Sequence, residues 1–166
     1  MRHEPMADAD GLLRIYLNDH LAGAMGGLQL ARRAASANRS NEYGEFLSEL
    51  VEEIESDVHT LEKLMDDAGI GRDRVKLLAA WSAEKAGRLK LNGRLLGYSP
   101  LSRVVELEIL ALGVDGKLSL WRSLEQLAPD DRRLRGIDLA DLVKRARSQR
   151  RRLETRRLKA VRDALA

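Results

Sequence analysis

Cysteine is absent from this 166-residue chain. Disulfides, thiolate metal sites and cysteine nucleophiles are therefore excluded, and the expected setting is a reducing cytoplasm. Aromatic residues amount to 4%, and β-branched residues are few, so there is little from which to build a sheet. With three prolines in the whole chain, helices can run for long stretches without a break. Every long apolar stretch is interrupted by charge, and no transmembrane helix is expected. Residues 1–11 are polar and acidic with no apolar segment, so no secretory leader is expected. Three histidines leave little room for imidazole chemistry.

Ala, Leu, Arg and Glu dominate what is present, a mixture that favours helix throughout. The formal net charge of +3 conceals a division. Residues 132–166 hold 13 Lys and Arg against 4 Asp and Glu, whereas residues 1–131 hold 16 against 22. The front of the chain is acidic and its tail is strongly basic.

Apolar residues recurring every three to four positions mark helix faces. The first predicted helix runs from near Asp10 to Ala37 on Leu13, Leu17, Leu21, Ala24, Leu28 and Ala31. The second, about Glu42 to Ala68, uses Leu50, Ile54, Leu61, Leu64 and Ala68, with Gly69 as its C-terminal stop. The third, about Asp73 to Leu96, uses Leu77, Trp81, Leu91 and Leu95. The fourth has Ser99 as N-cap, Pro100 at its first position and Leu101, Val104, Ala111 and Leu118 as its stripe, reaching about Leu127. After a connector over residues 128–136, a basic fifth helix starts near Asp138 on Leu139, Leu142, Val143, Ala146, Leu153, Val161 and Leu165. Four helices of about 24–28 residues, roughly 36–42 Å each, joined by short loops, predict an all-α, up-down-up-down four-helix bundle. The expected division is a flexible N-terminus over residues 1–9, a bundle over 10–127, and a connector with a basic C-terminal helix over 128–166 that packs on the bundle.

Each of the four stripes is interrupted by charge: His20 in the first, Asp57 in the second, Glu84 and Arg88 in the third, Glu108, Asp115 and Arg122 in the fourth. In antiparallel hairpins, residues equidistant from the loop lie at one height. Loop centres near residues 39, 70 and 98 bring His20, Asp57, Glu84, Arg88, Glu108 and Asp115 into one band. Buried charge is costly unless paired or metal-bound, so the band is either a salt-bridge network or a site. Arg88 one turn after Glu84 and Arg122 two turns after Asp115 favour the network, because arginine fills the space a cation would need.

A band of inward carboxylates with a histidine, spread over residues 10–127, resembles the ferritin-like superfamily. That resemblance implies a helical bundle whose facing helices hold two metal ions through carboxylates and imidazoles, with iron or manganese as the cofactor. The matching motif, Glu-x-x-His on two helices, is not found: Thr60 follows Asp57 by three and Ala111 follows Glu108 by three. His59 projects from the opposite side of its helix. The second-to-third connection, Gly69–Arg72, is shorter than the family's crossover unless residues 73–80 serve as one.

Other signals have simpler readings. Glu52, Glu55 and His59 share an outer, solvated face. Gly23–Gly27 and Gly113–Gly116 follow no strand and lack a Gly-Lys-Ser ending, so they are not phosphate loops; small residues there are expected to let helices approach closely. Tyr16 and Trp81 are expected in the core. Arg150–Arg152 and Arg156–Arg157 can meet phosphates, yet no aromatics interleave them, and they can dock on the acidic front instead. The preferred expectation is a cytoplasmic bundle without cofactor or catalysis, acting through a protein partner or by self-association as a dimer. The alternatives are a metal centre on the band and a nucleic-acid or other anionic partner on the basic helix.

Overall fold

The computed structural model describes residues 5–73 and 98–166, with side chains from residue 9 onward. Within them lie α1 (Pro5–Asn38), α2 (Gly44–Asp67), α3 (Pro100–Leu127), a single 3₁₀ turn (Arg132–Leu134) and α4 (Leu139–Leu165). No strand occurs among the described residues. The described residues are all-α, as the composition predicts, and form a four-helix bundle made of the first, second, fourth and fifth predicted helices. The third predicted helix, with Leu77, Trp81, Glu84, Arg88, Leu91 and Leu95, falls outside the described residues. Residues 5–9, expected in a flexible arm, already belong to α1.

Local chemistry sets most boundaries. Ser99 accepts from the Ser102 backbone N–H while the Ser102 hydroxyl accepts from the Ser99 N–H, and Pro100 occupies the first helical position. Asp138 caps α4 by accepting from the Asp141 N–H. After α2, Gly69 takes φ +66° and Ile70 N–H closes onto the Met65 carbonyl at 2.8 Å. Only a residue without Cβ enters that left-handed conformation freely. Between α1 and α2, the Asn41 side chain accepts from Tyr43 N–H and the turn closes on Gly44. A Cβ on Gly44 would lie 2.6 Å from the Asn38 carbonyl oxygen, so this hairpin demands glycine.

The helices form a ring in the order α1, α2, α4, α3, with each neighbour antiparallel. Tyr16 of α1 donates to Ser123 and Arg33 pairs with Glu106, which fixes α1 against α3. Asp115 with Arg150 and Glu108 with Arg157 fix α3 against α4. Asp57 with Arg145 and Glu53 with Arg152 fix α2 against α4, and Glu42 in the turn before α2 pairs with Lys159. The core is one continuous apolar cluster from Leu17 to Ala160 that includes Leu47, Leu50, Leu61, Leu107 and Leu124. Leu139, Leu142, Val143, Ala146 and Leu153 of α4 belong to it, so the basic helix is one wall of the described core.

At the loop end of α1 a buried asparagine holds three segments together. Asn38 donates to the Ala34 carbonyl and to the Tyr98 hydroxyl, and accepts from Asn41 and from Arg103 Nε at 2.6 Å. Tyr98 in turn donates to Glu106 at 2.9 Å. Burial, more than its neighbours, pushes the Tyr98 phenol well above its ordinary range, so it stays protonated and keeps donating.

Candidate functional site

The stripe of α1 points inward as its spacing predicts, with Leu17, Leu21, Leu28 and Ala31 buried. On α3 the buried face is rotated by about one residue from the expected one. Val104 and Ala111 of the expected stripe are buried and Leu118 is partly so, but Leu107, Leu110, Val114, Trp121 and Leu124 carry the buried face to one side of it, and Leu101 is 42% exposed. Leu101, Ile109, Leu112 and Leu127 are all exposed apolar residues on this helix. Apolar side chains on every side leave the sequence pattern without a single face to choose.

That rotation redistributes the expected band. Glu108 is exposed and pairs with Arg157; Asp115 is partly exposed and pairs with Arg150. Both carboxylates meet α4, not each other. Arg122 is exposed. Glu84 and Arg88 lie outside the described residues. His20 and Asp57 do reach the same interior space. His59 faces solvent, as expected.

Asp57, 4% exposed, is the centre of a buried polar cluster. Its Oδ2 accepts from Lys117 Nζ and, at 3.2 Å, from Gln149 Nε2; its Oδ1 accepts from an Arg145 guanidinium nitrogen. Lys117 also donates to Gln149 Oε1. Gln149 is fully buried, and its amide closes the triangle. One carboxylate therefore faces two cations. Burial pulls the Lys117 ammonium below its ordinary pKa, against the opposing pull of Asp57. Lys117, Arg145, Gln149 and Glu106 were not among the expected site residues. Spacing signalled two of them: Lys117 continues the Leu110, Val114, Trp121 stripe, and Gln149 continues Leu142, Ala146, Leu153.

Beside this cluster a cavity of about 310 Å³ opens between α1, α2 and α3. Ile54, Val58, Leu61, Leu110 and Val114 supply apolar walls; His20, Asp57, Lys117 and Trp121 also line it. Tyr16 meets His20 edge-on, with ring centroids 4.5 Å apart, and its hydroxyl is anchored on Ser123. Burial lowers the His20 pKa despite the nearby Asp19 carboxylate, so its imidazole is neutral near pH 7. Trp121 is 1% exposed, and its indole N–H finds no acceptor among the described residues.

The glycines do not serve the close helix contact expected of them. Gly23, Gly27, Gly113 and Gly116 all line the cavity, and a Cβ built on any of them meets nothing within 4 Å among the described residues. They widen a space instead of closing one.

Among the described residues no three His, Cys, Asp or Glu side chains converge in a way that would hold a metal ion. No described helix is long and apolar enough to cross a membrane. Compared with protein-family models, curated proteins and solved structures, the chain finds no match in any of the three.

Proposed function

We propose that this chain is a metal-free helical-bundle protein that works by binding, akin to the ferritin-like superfamily in architecture but not in chemistry. The observation that carries this reading is the saturation of Asp57. Its two oxygens accept from Lys117, Arg145 and Gln149, and the two cationic heads occupy the space around a carboxylate that a metal would require. Glu106, the other buried carboxylate among the described residues, is likewise held by Arg33 and Tyr98. The buried charges thus tie helices together, and binding falls to the cavity and its partly open mouth, where Ile109 remains 42% exposed.

Metal analysis by mass spectrometry, on untagged protein purified without chelator and challenged with Fe(II), Mn(II) and Zn(II), tests this. The expected result is no stoichiometric metal. One or two retained equivalents, lost in Asp57→Ala, would overturn the reading.

A second reading is favoured by one observation on α4. Lys144, Arg147 and Arg151 are exposed, lie three to four residues apart and form no ion pair among the described residues. Other α4 cations, including Arg145, Arg150, Arg152, Arg157 and Lys159, are turned onto acidic partners. The remaining stripe is suited to an anionic partner. Charge reversal of all three residues should sharply lower the salt needed to elute the protein from heparin if that stripe matters. Retention unchanged by the reversal would remove this second reading.

A further inference from the structure

We propose that the outward face of α3 is the interface of an antiparallel homodimer, in which the α3 helices of two copies pack against each other about a two-fold axis. This names a second copy of the chain as the partner for the binding role proposed above. It rests on that reading, since the interface takes in the cavity mouth at Ile109.

Positions 101, 105, 109, 112, 116, 119, 123 and 127 follow one another every three or four residues and so form one stripe along α3. None of them is buried and none carries a charge, although 33% of the chain is charged. Solvated helix faces are normally the charged ones. The outer faces of α2 and α4 follow that rule with Glu49, Glu52, Lys144 and Arg147. On α3, by contrast, Leu101, Ile109, Leu112 and Leu127 are exposed, Leu112 to 71%. One exposed leucine signifies nothing, but a continuous uncharged row marks a surface that meets another protein.

The symmetry of the stripe identifies that protein. Reversed about position 114, the row maps onto itself: 112 falls on 116, 109 on 119, 105 on 123 and 101 on 127. Two α3 helices laid antiparallel therefore present Leu112 to Gly116 and Ile109 to Ser119. The large side chains of each copy meet the small residues of the other, and Leu101 meets Leu127 at both ends. A Cβ built on Gly116 meets nothing within 4 Å among the described residues, which leaves that side of the helix open to the incoming leucine. Reciprocal contacts of this kind close on themselves and stop at two copies.

Charge at the rim fits the same register. Glu108, Asp115 and Arg122, seven residues apart, run along the α4 side of the stripe. An antiparallel two-fold pair sets each edge against the same edge of the other copy. Glu108 then lies within two residues, about 3 Å, of the height of the second copy's Arg122. Arg122 is exposed and forms no ion pair among the described residues. Glu108 is held at 3.4 Å by Arg157, which Glu154 holds more closely at 2.8 Å. Asp115 falls beside its own copy near the axis, where Arg150 neutralises it.

Sedimentation velocity of the full chain from about 1 to about 100 µM tests the assignment. Wild-type protein should pass from monomer to dimer across that range and form nothing larger. Leu112→Glu places a carboxylate in the centre of the uncharged row and should raise the dissociation constant at least about tenfold. Arg122→Glu faces Glu108 of the other copy and should raise it about three- to tenfold at low salt. Both positions are exposed, so the circular dichroism spectrum and melting temperature should not change; if Leu112→Glu misfolds, Arg122→Glu decides. Register is read independently, because the chain has no cysteine. Leu112→Cys mixed with Gly116→Cys should give a disulfide-linked dimer on oxidation, in clear excess over either protein alone, while Glu52→Cys on α2 should not cross-link. A monomer at every concentration, a dimer indifferent to Leu112→Glu, or a dimer whose mixed cysteine pair fails to cross-link would each overturn the proposal. Metal content is read separately, so a metal-free monomer refutes the dimer and leaves the metal-free reading standing.

Discussion

Replacing Asp57 by leucine leaves Lys117 facing Arg145 inside the bundle with no carboxylate between them. The lysine side chain is only 12% exposed and cannot easily regain water; Arg145, at 31%, can turn outward. Removing one partner of a buried ion pair costs roughly 3–5 kcal/mol, and the escape of Arg145 places Asp57→Leu near the lower figure. For a domain of this length about 3 kcal/mol corresponds to a melting-temperature loss of roughly 6–12 °C. Lys117→Met should cost less, about 1–2 kcal/mol, because Asp57 retains its bonds from Arg145 and Gln149. The double variant Asp57→Leu/Lys117→Met replaces the pair by apolar side chains of similar bulk. It should cost clearly less than the two single effects summed, yet stay about 1–3 kcal/mol below the parent protein, because the fully buried Gln149 amide loses both of its partners. Urea unfolding of all four proteins, with unchanged slopes, gives the coupling directly. Asp57→Leu costing under about 1 kcal/mol, or two single effects that simply add in the double variant, would refute the claim that this pair locks α2 to α3.

Glycine substitutions should divide by location: Gly27→Ala and Gly113→Ala meet open space and should each stabilise by about 0.5–1 kcal/mol, while Gly44→Ala, forced against the Asn38 carbonyl, should lower the urea midpoint. The lowered pKa of His20 means that the unfolded chain binds the extra proton first as pH falls. Stability should therefore be full above the ordinary histidine value near 6.5 and decline below it, and His20→Gln should flatten this part of a pH-dependent thermal melt. Asn38→Ala removes four hydrogen bonds and strands Arg103 Nε and the Asn41 amide, so a loss of about 2–3 kcal/mol in chemical unfolding is expected.

Much of the architecture was legible before any coordinates. The Ser99–Pro100 start, the Gly69 stop and the Asp138 cap are local devices, each written in two or three adjacent residues. The α1 stripe was clear in its middle, where Leu17, Leu21, Leu28 and Ala31 recur at helical spacing, although Leu12 and Ile15 nearer its start are exposed. The α3 face was not, since Leu101, Ile109 and Leu112 supply apolar side chains to solvent as well. A shift of one residue turns a helix by about 100°, which is why Glu108 and Asp115 were expected inside while Glu106 is the buried carboxylate.

Sequence alone determined that the chain would be helical, where several helices begin and end, and that Asp57 would lie on a buried face. Each of these depends on neighbours within a turn or two. Only the tertiary structure decided what Asp57 meets. Lys117, Arg145 and Gln149 lie 60, 88 and 92 positions away, and no local pattern encodes their convergence. It likewise decided that the glycines of α1 and α3 enclose a cavity instead of a tight crossing, because the distance between two helix axes is set by all the side chains packed between them.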